Sequence, residues 1–105
     1  MKIPQKIKVA GHYYKVIFDD KQLSKEHIVG RINNDFKEIQ LCKHYNSKRA
    51  RAKSEIEETF FHEILHAIDR HYNNGSLSEK AVDSLANGLY QVFNDNFNIK
   101  TRVKN

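Results

Sequence analysis

Two histidines and a glutamate in the middle of the chain have the types and spacing for metal chemistry: His62-Glu63-Ile64-Leu65-His66. On a helix, four residues advance about 400°, so the two imidazoles lie about 40° apart on one face and about 6 Å apart along the axis. Zinc–nitrogen bonds of about 2.0–2.1 Å let both rings share one ion. Glu63 is turned about 100° from His62, toward a water beside the ion instead of the ion itself. There it can take a proton as the water attacks a carbonyl and pass it to the leaving amine. Phe60, Phe61, Ile64, Leu65 and Ile68 already supply an apolar stripe, so burial does not require the histidines.

Such an ion needs a third protein ligand. Glu79-Lys80-Ala81-Val82-Asp83 sets two carboxylates at i and i+4 on a second amphipathic segment. With Val82 at the centre of its wheel, Glu79 falls near +60° and Asp83 near +100°, so both flank the apolar stripe. A simple hairpin centred between His66 and Asp83 puts Asp83 level with His66, whereas a crossing angle or an offset turn brings in Glu79. Whichever carboxylate does not bind can hold a histidine N–H and fix its tautomer.

The elements that must position these residues divide the chain in two. Residues 1–46 read as strands and turns. Ile7 and Val9 alternate with lysines, Ala10-Gly11 makes a tight turn, and Tyr14, Val16 and Phe18 point one way. A polar stretch from Asp19 to His27 precedes a third strand, Ile28 to Ile32. Asn33-Asn34-Asp35 then turns into Phe36 to Lys43, with Ile39 and Leu41 on one face. From Ser54 the period becomes helical. Ser54 and Glu57 fit a capping box for a metal-binding helix over 54–72, which ends at Asn73-Asn74-Gly75. Ser76 or Ser78 caps a glutamate helix over 77–94 with a core stripe of Val82, Leu85, Ala86, Leu89 and Phe93. The predicted fold is α+β, a three- or four-stranded antiparallel sheet packed on two helices. It forms one domain over 1–95, with a flexible tail over 96–105.

Composition narrows the function classes. At 105 residues the chain has room for one modest core. Its 39% hydrophobic content is that of a folding chain. No apolar run reaches the roughly 18–20 residues of a membrane span, and the N-terminus lacks a secretion signal, so a cytoplasmic location is expected. Cys42 is the lone cysteine, which excludes an intramolecular disulfide and a thiol-only zinc cluster. The net charge of +5 peaks in Lys48-Arg49-Ala50-Arg51-Ala52-Lys53. No zinc-finger spacing, phosphate-binding loop or RNP motif accompanies that run, so a nucleic-acid partner is disfavoured.

His62-Glu63-Ile64-Leu65-His66 followed by Glu79-Lys80-Ala81-Val82-Asp83 resembles the gluzincin metallopeptidases, whose motifs are HExxH and ExxxD. The small size and the order of strands then two helices are similar to the minigluzincins and to the catalytic core of ImmA/IrrE-type proteins. Leu85-Ala86-Asn87-Gly88-Leu89-Tyr90 also resembles the end of that family's glutamate helix. The resemblance spans roughly Lys2 to Phe93, with its specific motifs in the helical half. It implies a zincin-like fold in which His62, His66 and Glu79 bind zinc, Glu63 is the general base, and Asp83 supports a ligand. It also implies a protein or peptide substrate, paired along the strand Lys37–Lys43 as an edge strand. The same small size and polar tail would let residues 96–105 fold over the cleft and keep the enzyme latent.

A developing oxyanion needs a donor, and Tyr72, His71, Tyr90, His44 and Tyr45 are the candidates. Cys42 reads as a strand residue. Two rival functions stand beside peptide hydrolysis. One is a protein-binding module that keeps the metal without turnover; the other is a basic nucleic-acid-associated protein using Lys48–Lys53. The sequence does not indicate an oligomeric state.

Overall fold

The computed structural model describes residues 1–45 and 49–97. Lys48 and the tail beyond Phe97, on which the basic run and the latch expectation partly rest, lie outside the described residues. Within them the chain is α+β, with a four-stranded mixed sheet, a two-stranded sheet and three helices. No helix among the described residues is long and apolar enough to cross a membrane.

Strands β1 (Lys6–Val9) and β2 (His12–Phe18) form the expected hairpin. Its two-residue turn puts Ala10 at φ 52° and Gly11 at φ 82°, the left-handed pair that matches strand twist. An alanine there costs about 1 kcal/mol. Ala10→Asn is therefore expected to raise stability by about 0.5–1 kcal/mol in urea unfolding, while Ala10→Val lowers it.

The polar stretch after β2 is an unpredicted helix, α1 (Asp20–Lys25), capped by Asp19, whose side chain accepts from the Gln22 N–H, and anchored by fully buried Leu23. It explains why the sheet is mixed and not antiparallel. Six residues of helix span about 9 Å, close to two strand spacings of about 4.8 Å. The chain thus skips one position, lays down β3 (Gly30–Asn33) at the edge, and returns as β4 (Glu38–Leu41) in the gap. β4 pairs parallel with β2 and antiparallel with β3. The edge strand beside the helices is therefore β3, two residues shorter at its start than predicted, and the Lys37–Lys43 strand is interior.

Ile39, Leu41, Tyr14 and Val16 turn toward the helices and are buried, as their alternation requires, whereas Phe18 at the strand end stays exposed. A second small sheet, β5 (His44–Tyr45) with β6 (Arg49–Ala50), leads into α2 (Lys53–Tyr72). That helix starts one residue before Ser54. Glu55, not Glu57, reaches back to the Ala52 N–H, and also takes the Tyr45 hydroxyl. Glu57 is instead buried, accepting from the Tyr90 hydroxyl at 2.6 Å.

The last helix, α3 (Glu79–Phe97), is capped by Ser78 and runs three residues further than predicted. Val82, Ala86 and Tyr90 are buried against α2, but Leu85 and Leu89 are 54% and 45% exposed. The predicted stripe is wider than the face that α3 buries against α2.

Candidate metal centre

The two long helices run antiparallel, and four contacts fix their register. Asp69 meets Leu77, His66 meets Glu79, His62 meets Asp83, and Glu57 meets Tyr90. The first of these is an Asp69 clamp. Buried Asp69 accepts from the Leu77 N–H and the Asn73 side-chain amide, and its carbonyl takes the N–H groups of Asn73 and Gly75. This pulls the connection back along α2. Leu77 stands level with Asp69, which brings Glu79 level with His66 and Asp83 level with His62. The offset from a simple hairpin is about four residues, or roughly one helical turn.

The resulting arrangement suits one ion. His62 Nε2 and His66 Nε2 are 3.2 Å apart. The Glu79 carboxylate puts Oε1 2.7 Å from the first and Oε2 3.1 Å from the second. Donor atoms of a tetrahedral ion with bonds of about 2.0–2.1 Å stand about 3.3 Å apart, so the spacing of the imidazole nitrogens fits. His62, His66 and Glu79 are the only such group of three among the described residues. Asp83 Oδ1 faces the other ring nitrogen of His62, Nδ1, at 3.5 Å, the side from which a carboxylate orients an imidazole ligand. Of the two carboxylates weighed as third ligand, Glu79 is the one at the nitrogen pair.

Glu63 lies beside this group in a different environment. It is 5% exposed and has no hydrogen bond or ion pair to any described residue. Burial, with the negative charge of Glu79 adding to it, pushes its carboxyl up to about 8. Two open spaces meet at His62 and Glu63. One, about 500 Å³, extends past Gly30 to His27 and Asn87. The other, about 360 Å³, extends past Ile32 and Asn34 to His66 and Glu79. Together they make a cleft along β3, whose outer edge has no strand neighbour among the described residues.

Gly30 lets that strand approach. A Cβ there would overlap the Thr59 methyl and stand 3.2 Å from Glu63 Oε2. Thr59 cannot simply rotate away, because its hydroxyl accepts from Arg51 and donates to the Glu55 carbonyl. Gly30→Ala is expected to cost about 1–3 kcal/mol. Adding Thr59→Ser, which removes the methyl and keeps the hydroxyl, should recover most of it in a double-mutant cycle read by urea denaturation.

The predicted oxyanion donors are elsewhere. Tyr72 is 71% exposed near the end of α2. His71 bonds the Tyr14 hydroxyl and stacks on His12, with burial lowering its pKa. The Tyr90 phenol is buried on Glu57, and burial followed by that carboxylate raises its pKa. His44 bonds Asp20, and Tyr45 bonds Glu55. None of the five lines the cleft at Glu63. Cys42 is buried with its thiol on the His44 carbonyl, and burial raises its pKa.

Arg51, within the basic run weighed for nucleic-acid binding, is buried and bonded to the Cys42 carbonyl and the Thr59 hydroxyl. It ties the start of α2 to the end of β4. Sequence reasoning missed Asp69, Thr59, Glu58 and His27. Glu58 and Thr59 stand four residues before His62 and Glu63, one turn along the same faces, a spacing visible in the sequence.

Compared with protein-family models, curated proteins and solved structures, the chain matches none.

Proposed function

We propose that this protein is a zinc-dependent metallopeptidase of gluzincin type. The observation that carries the reading is the His62–His66–Glu79 donor set at ion-holding distances, with a buried, unpartnered Glu63 next to it. A zinc ion held by those three residues would supply Lewis acidity toward a scissile carbonyl and toward water. The chain's own residues do the rest. The free edge of β3 aligns an extended peptide by backbone pairing, in place of the interior strand first expected. Glu63 takes the proton of the attacking water and returns it to the leaving nitrogen. Asp83, facing His62 Nδ1, would hold the ring with Nε2 free to bind the metal.

One observation favours a second reading, a metal-containing binding module without turnover: none of the expected oxyanion donors reaches the cleft. Elemental mass spectrometry on purified protein, beside His66→Ala, tests the metal, and digestion of unfolded protein substrates tests turnover. Near one zinc per chain, lost in the variant, together with chelator-sensitive cleavage is the expected result. Zinc without cleavage selects the binding module, and no zinc after reloading overturns both.

A further inference from the structure

We propose that the larger arm of the cleft is a subsite for a lysine or arginine side chain of an extended peptide, a reading that rests on the metallopeptidase proposal for how the peptide lies. The cavity of about 500 Å³ opens beside Glu63 and is bordered by Glu55, Glu58 and Asp83. Arg51 is the one Lys or Arg in its lining, and its guanidinium is turned inward onto backbone carbonyls and Thr59. Glu55 offsets that charge and is already engaged by the Ala52 N–H and the Tyr45 hydroxyl. Glu58 pairs with no cation among the described residues, and Asp83 meets only His62. Glu58 is thus an uncompensated carboxylate, with Asp83 sharing the same concavity, on a chain of net charge +5. Concave walls of one sign concentrate the field.

A second observation also points to a ligand here. Glu63, more than nine-tenths buried and without a partner among the described residues, opens into the same space. Ile28 and Val29 offer apolar surface along which the aliphatic stem of a basic side chain can lie while its head reaches Glu58 and Asp83. Antiparallel pairing is the more stable mode. A peptide added that way to β3 runs from the Asn33 end toward Gly30, so the basic side chain falls on the carboxyl-terminal side of the residues over Glu63.

The test compares two alanine-based hexapeptides, one with lysine at its fourth position and one with norleucine there. Binding is measured by fluorescence anisotropy to zinc-supplied Glu63→Gln protein, in about 0.15 M salt, where long-range charge effects are screened beyond about 8 Å. The lysine peptide should bind at least tenfold tighter. Adding Glu58→Gln should bring the ratio near one, and adding Glu58→Lys should invert it. A ratio near one at the start, a ratio untouched by Glu58→Gln, or no binding of either peptide overturns the subsite. Hydrolysis of the same peptides by the wild-type protein separates the two proposals. Cleavage indifferent to lysine would leave the metallopeptidase standing without the subsite, and lysine-dependent binding without cleavage would do the reverse.

Discussion

Glu63→Gln should abolish peptide hydrolysis while making the metal-free protein more stable. A general base contributes typically 10²–10⁴-fold, so turnover should fall by at least a hundredfold with zinc content unchanged. The stability gain follows from the raised carboxyl. Its folded-state value of about 8 lies above the ordinary 4.5, so between those limits the native chain holds a proton that the unfolded chain has released. Stability from this group is then fully present below about pH 4.5 and declines as pH rises toward 8. Each unit across that window is worth up to about 1.4 kcal/mol, so the whole loss is on the order of 5 kcal/mol. Glutamine has no proton to lose. In chelator, the wild type and the variant should melt together near pH 4.5 and separate progressively up to pH 8, with the variant higher. Parallel melting curves across that range would show that Glu63 ionises in the folded state as it does in the unfolded one.

The second large effect concerns the carboxylates of α3. Glu79→Ala removes one of three donors and should lower zinc affinity by well over a hundredfold. Asp83→Ala removes only the partner of His62 Nδ1 and should lower it by about 10–100-fold, the range for groups that orient a ligand. Competition with a fluorescent chelator reads both. The reverse ranking would mean that the helices shift in register when the ion binds. Asp69→Ala tests that register from a distance: with the Asp69 clamp on Leu77 lost, zinc affinity should drop although Asp69 touches no donor atom.

The histidine helix was legible because period, turn residues and motif agree over 54–72. The hairpin at Ala10-Gly11 was legible because a two-residue turn between alternating segments has few solutions. Other features depend on partners that local patterns do not name. Pairing of β2 with β4 is non-local, and only α1, hidden in a polar stretch with Leu23 as its single anchor, makes the crossover possible. Leu85 and Leu89 read as core because amphipathicity shows which side of a helix is apolar but not whether anything covers it. The choice between Glu79 and Asp83 turned on Asp69, whose role appears only once the connection is folded around it. Oxyanion donors were sought after the histidines and at His44 and Tyr45, yet the cleft is walled by β3 and the loop before it.

The Asp69 clamp also bears on the order in which the molecule assembles. All three candidate donors lie between positions 62 and 79, within one helical hairpin whose turn supplies its own hydrogen bonds. The wall opposite Glu63 comes from Gly30, far away along the chain, and its strand is in place only after β4 has inserted beside β2. Short loops close at lower entropic cost than long ones, and local contacts form sooner. On the proposed function, cation capture would thus be a property of a fast local unit, and substrate alignment a property of the slower global topology. Refolding in zinc should show ion uptake before the sheet is complete; simultaneous uptake and sheet formation would mean that the hairpin cannot hold the ion without the strands.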